Sequence, residues 1–222
     1  MSFRILVAGG TGQVGAALVR ALLATEACAG IVMVNRRAAP VAVDARLRQT
    51  VMDTGDPRFS EEIAELAREF RAQGGPLYAA SCIGIGKGSA QWSEQDIRKL
   101  EIGVVGAFAR GCLEAGVDTF GLLSAAGSSA KSRIRYARIM GEKEDAVRNL
   151  GFRRLAIFRP GIIAGNAHTP GLLALLGRLI PGSFGTIGQD VIARAFVGEF
   201  LHGSDGTTVL ENAAMRRRAR SS

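Results

Sequence analysis

The chain has 222 residues, 47% of them hydrophobic and 22% charged, with a formal net charge of +8. That length and apolar content suit one α/β domain with a sizeable core, and no apolar run is long enough to span a bilayer. The three cysteines, Cys28, Cys82 and Cys112, and the two histidines, His168 and His202, are too scattered for a disulfide framework or a metal site.

Phe3 to Ala8 is an apolar run of strand length, followed by Gly9-Gly10-Thr11-Gly12-Gln13-Val14-Gly15 and then by a helical pattern from Ala16 to Leu23. Strand, glycine turn and helix open a dinucleotide-binding βαβ unit. One glycine lets the chain turn sharply, one lets the backbone approach a pyrophosphate, and Gly15 lets the helix pack close on the strand. The pyrophosphate is expected on the N–H groups and positive end of the helix that starts near Gln13.

Gly30 to Asn35 reads as the second strand and ends in Asn35-Arg36-Arg37. A carboxylate is usual there, on the ribose 2′-hydroxyl. Two guanidiniums would instead attract a 2′-phosphate, so the cofactor is read as NADP(H). Leu47 to Met52 is a weaker third strand; Asp53, at its end, is either an acceptor for the adenine amino group or a turn residue. Ser60 is placed as the cap of a helix that Gly74-Gly75 stops. Leu77 to Cys82 is the fourth strand, followed by a glycine-rich loop from Gly84 to Ser89. Ser93 caps a long helix ending near Gly116.

Val117 to Ser124 is the fifth strand, and a helix is expected from about Ile134 to Leu150. Leu155 to Arg159 is the sixth strand, broken by Pro160-Gly161. Two short helices follow, around Leu172–Leu179 and Val191–Leu201, then a last strand at Thr207–Leu210. Strands alternate with helices throughout, which predicts a doubly wound parallel sheet with helices on both faces and ligand beyond the carboxyl ends of the strands. The whole chain, 1–222, is expected to be a single dinucleotide-binding domain, with 160–222 supplying the substrate side and a basic tail. Arg216, Arg217, Arg218 and Arg220 supply half of the net charge of +8 in that tail, without the interleaved aromatics of a nucleic-acid surface.

Taken together, the glycine turn, Asn35-Arg36-Arg37, Leu122-Leu123-Ser124, Tyr136, Gly141-Glu142 and Phe158-Arg159-Pro160-Gly161 make the chain resemble an atypical short-chain dehydrogenase/reductase. It is most similar to the HIV Tat-interacting oxidoreductase family. The resemblance runs from Phe3 to about Asn212 and is most specific between Leu122 and Gly161. It implies a Rossmann fold that holds the cofactor with Gly9, Thr11, Gly12, Gln13, Val14, Gly15, Arg36 and Arg37. It also implies that Ser81, Cys82, Ile83 and Gly84 lie against the adenine-side ribose and that Pro160, Gly161 and Ile162 pass the nicotinamide.

In the wider superfamily a serine after the fifth strand and a Tyr-x-x-x-Lys pair carry the reaction. Ser124 and Tyr136 are the corresponding candidates, with Ser128 and Ser129 in reserve. Met140 stands where the lysine belongs. Lys143 shares the helix face of Tyr136 but lies about 10 Å further along the axis. The expected protein is a cytoplasmic, NADP(H)-dependent oxidoreductase acting on a small carbonyl compound. The alternative is a non-catalytic NADPH sensor read by a protein partner.

Overall fold

The computed structural model describes residues 2–85, 91–164 and 182–221. Seven parallel strands form the central sheet, in the order β3-β2-β1-β4-β5-β6-β9. They are β1 (Phe3–Ala8), β2 (Cys28–Asn35), β3 (Leu47–Val51), β4 (Leu77–Ser81), β5 (Thr119–Leu123), β6 (Arg154–Arg159) and β9 (Gly206–Glu211). β1 runs inside the sheet between β2 and β4, and its alternation sorts the core. Phe3, Ile5 and Val7 face one apolar cluster; Leu6 and Ala8 face the other. A strand buried on both faces needs this continuous apolar run.

Helices α1 (Gln13–Leu23) and α6 (Gln189–His202) cover the first face. Helices α2 (Phe59–Arg71) and α4 (Val105–Glu114) pack on the second. Gly111 lets α4 approach α2, because a Cβ there would stand 2.2 Å from the Ser60 carbonyl oxygen. Ser60 itself is not the cap. The helix begins one residue earlier, at Phe59, and the Ser60 hydroxyl is buried without a hydrogen-bond partner.

Ser93 does cap its helix: its hydroxyl accepts the Asp96 N–H at 3.1 Å. The long helix beyond it is interrupted. α3 (Glu94–Arg98) passes into a π-helical stretch, Lys99–Val104, before α4. Such wide turns recur at functional sites, and this one carries the buried Glu101.

α5 (Arg135–Arg148) follows β5, and Gly141 lets it lie against the loop at Ser129 and Ala130, where a Cβ would meet backbone at 2.1 Å. Beyond β6, β7 (Ile162–Ala164) pairs in parallel with β8 (Thr186–Gly188) as a separate small sheet. The helix expected around Leu172–Leu179 lies outside the described residues, as does most of the Gly84–Ser89 loop. The basic C-terminal segment folds as α7 (Asn212–Arg218), with Asn212 and Met215 fully buried. Arg218 Nε pairs with Glu199 Oε2 at 2.8 Å, and Arg216 donates to the Thr186 carbonyl at 2.6 Å.

Candidate functional site

The chain winds outward from β1 to β2 and β3, then returns to place β4 on the other side of β1. The crevice at that reversal, beyond the carboxyl ends of the strands, is where open α/β sheets bind ligands. The glycine turn lies there. Gly9 has φ +77°, and a Cβ on it would stand 2.7 Å from the backbone of Cys82 and Ile83. Gly15 lies against the same turn, where a Cβ would be 2.1 Å from the Gly9 carbonyl oxygen. Gly12 differs: its nearest such contact is 3.3 Å, and it is exposed. It is the N-cap of α1, which has no side-chain cap and no acidic residue in its first turn. Uncapped N–H groups at a helix start suit an anion.

Asn35 anchors the chain at the end of β2. Its Nδ2 donates to Gln49 Oε1 at 2.7 Å, and the same oxygen accepts the Ala39 N–H at 3.0 Å. The clip holds the chain on either side of Arg36 and Arg37, which are both exposed. Asp53 is a turn residue here, accepting the Gly55 N–H at 2.8 Å. Ser81 and Cys82 are buried, Ile83 is half-buried and Gly84 is exposed. The Ser81 hydroxyl has no hydrogen-bond partner. Burial pushes the Cys82 thiol up to about 12, so it is an inert packing group.

The ends of β5 and β6 are stitched together. Ser124 N–H donates to Phe158 O at 2.7 Å, and Ala126 N–H donates to Pro160 O at 2.8 Å. The Ser124 hydroxyl is buried and committed inward. It donates to Glu144 Oε1 at 2.5 Å and lies 3.1 Å from the Ser128 hydroxyl. Glu144, fully buried, also accepts two hydrogen bonds from Arg159, at 2.8 and 2.5 Å, and one from Arg148 at 3.1 Å. A small cavity of about 220 Å³ adjoins this cluster, lined by Ser128, Ser129 and Lys131 among others.

Tyr136 is half-buried on the first turn of α5. Burial and the negative charge of Glu101 both push its phenol above the ordinary tyrosine range. Met140, in the lysine position, is 2% exposed. Lys143 does not stand in for the lysine on the cleft surface. Its ammonium is buried, 2.7 Å from Glu101 Oε2 and 2.9 Å from the Leu123 carbonyl. Glu101 Oε1 in turn accepts the Ile85 N–H at 3.2 Å. Glu101 and Lys143 thus link the end of β4, the end of β5 and α5.

Glu101, Glu144 and Asn212 were missed by sequence reasoning. Glu144 left a trace, since it lies four residues beyond Met140 on the inward face of α5; Glu101 left none, because a π-turn has no pattern of its own. Asn212 bonds Gly161 and Gly185, and so fixes the Pro160–Ile162 segment. No group of metal-ligating side chains occurs among the described residues, and none of their helices is long and apolar enough to cross a membrane.

No family model matches the chain. Among solved structures it is similar to the UDP-glucose 4-epimerase of Thermotoga maritima, with TM-score 0.67 and 14% identity over 94% of this chain and 76% of that one. It is also similar to WbmG of Bordetella bronchiseptica in complex with NAD, with TM-score 0.66 and 15% identity over 95% and 75%. At that identity the likeness shows the fold: a Rossmann-like sheet shared with short-chain dehydrogenase-type epimerases. The sequence is 31% identical over 209 residues to "Protein fmp52-1, mitochondrial" of Aspergillus oryzae, covering 89% of this chain and 86% of the relative. It is 30% identical over 215 residues to "Protein fmp52, mitochondrial" of Aspergillus fumigatus, covering 91% and 88%. Those names overturn the cytoplasmic expectation. Buried free thiols such as Cys28, Cys82 and Cys112 report missing disulfides rather than an address. On the strength of these relatives, the chain belongs to the fmp52 family.

Proposed function

We propose that this chain is an NADP(H)-dependent oxidoreductase that reduces a small carbonyl compound. One observation supports it most: an uncapped helix start at the strand reversal, opened by the exposed Gly12. The residues fit the cofactor. Gly9 and Gly15 close the turn, Thr11, Gln13 and Val14 border it, and Arg36 and Arg37 offer guanidiniums to a 2′-phosphate. The finer likeness to the HIV Tat-interacting oxidoreductases belongs to this proposal.

The bound cofactor supplies the hydride. Tyr136 supplies the proton to the carbonyl oxygen. A phenol held above its ordinary range stays protonated at neutral pH, but as a weaker acid than a free tyrosine. The same arrangement disfavours the reverse reaction, which needs a base. Ser124 holds Glu144 and the end of β5 in place rather than offering its proton to the cleft.

That commitment of Ser124, together with Met140 in the lysine position, favours a second reading. The protein would bind NADPH without turnover and signal occupancy to a protein partner. Incubation of NADPH with a panel of aldehydes, ketones and quinones separates the two. The enzyme reading predicts NADPH consumption that Tyr136→Phe abolishes while cofactor binding persists. Tight binding with no consumption on the whole panel establishes the sensor instead.

A further inference from the structure

Asn212 is 0% exposed and opens α7, directly after β9 at the edge of the main sheet. Its Oδ1 accepts the Gly161 N–H at 3.1 Å, and its Nδ2 donates to the Gly185 carbonyl at 2.7 Å. One side-chain amide therefore joins two loops. The first leads from β6 into β7; the second leads into β8, the strand paired with β7. The loops are already in close contact: a Cβ on Gly161 would stand 2.4 Å from the Gly185 carbonyl oxygen. In the proposed dinucleotide site, Gly161 and Ile162 would pass beside the nicotinamide. Neither is anchored by the main sheet, since β7 belongs to the small one.

We propose that Asn212 is a positioning residue for the nicotinamide half of the cofactor, holding the Pro160–Ile162 wall through the Gly161 N–H and the Gly185 carbonyl. This rests on the dinucleotide reading above. An amide is suited to the task because it presents one acceptor and two donors at fixed geometry. An apolar substitute would leave the Gly161 N–H unsatisfied and remove one of the two hydrogen bonds to the Gly185 carbonyl, which also accepts the Ile162 N–H at 3.2 Å. No part of Asn212 needs to touch the cofactor, and none of its bonds reaches the adenine side.

The test compares two probes on one variant. NADPH spans the whole crevice, whereas adenosine 2′,5′-bisphosphate lacks the nicotinamide half. With Asn212→Ala, NADPH affinity is expected to fall about tenfold while that of the bisphosphate stays unchanged. Equal losses for both probes would make Asn212 a general structural residue and overturn the proposal; so would no loss for either. If Asn212→Ala fails to fold, Asn212→Ser keeps a neutral hydroxyl that can still bond one of the two loops. A smaller loss is then expected, still confined to NADPH, and a loss shared by both probes overturns the proposal. If the unsubstituted protein binds neither probe, the dinucleotide reading itself falls, and this inference falls with it.

Discussion

Lys143 Nζ stands 2.7 Å from Glu101 Oε2, with the lysine 1% and the glutamate 0% exposed. The ammonium also bonds the Leu123 carbonyl, and the carboxylate also bonds the Ile85 N–H. Removing one partner leaves the other charge buried and unpaired. Lys143→Met is therefore expected to cost about 3–5 kcal/mol in denaturant unfolding. Lys143→Met combined with Glu101→Leu should recover most of that loss, since a buried pair is often replaceable by apolar side chains. Additive losses in the double variant would show that the pair is not the unit.

Gly12 and Gly15 are expected to respond in opposite ways. Gly12 has φ −73° and only one contact, at 3.3 Å, within reach of a new Cβ. Gly12→Val should leave the thermal midpoint nearly unchanged and abolish NADPH binding. Gly15→Ala puts a methyl 2.1 Å from the Gly9 carbonyl oxygen and should lower the midpoint clearly. A Gly12→Val variant that binds NADPH normally would make the turn purely structural.

Arg36 and Arg37 carry the specificity claim. Loss of a charge-assisted bond to the 2′-phosphate is expected to cost about 1.5–3 kcal/mol in NADPH affinity. NADH affinity should not change. Titrating Arg36→Ala and Arg37→Ala with both cofactors checks this, and parallel losses for NADPH and NADH would reject it.

Tyr136 sets a pH dependence. Its folded pKa is raised above the unfolded value near 10, by burial first and by the charge of Glu101 second. The folded protein therefore holds this proton while the unfolded chain releases it. Any contribution to stability is intact below pH ~10 and is lost as pH rises beyond that value. In carbonyl reduction, no alkaline limb from this residue is expected between about pH 6 and pH 9. A limb near neutrality that vanishes in Tyr136→Phe would mean that the phenol ionises early.

Much of the architecture was legible because local signals and tertiary demands agree. β1, the glycine turn and α1 follow from an apolar run, a φ +77° glycine and a helical stripe. Ser93 announces its helix by capping it. Other features depend on contacts that sequence spacing does not encode. β7 and β8 are three residues each and find one another across more than twenty positions. α7 has the composition of a solvated tail, yet Asn212, Met215 and Ala219 are buried along one side. Ser124 follows β5 as expected, but Glu144, itself held by Arg159, turns its hydroxyl inward.

The most direct test is a fluorescence titration of the purified protein with NADPH and NADH in the same buffer. The account predicts saturable binding of both, with NADPH tighter by about tenfold or more, as one additional charge-assisted contact requires. Equal affinities would contradict the role of Arg36 and Arg37, and no binding of either would contradict the dinucleotide site itself.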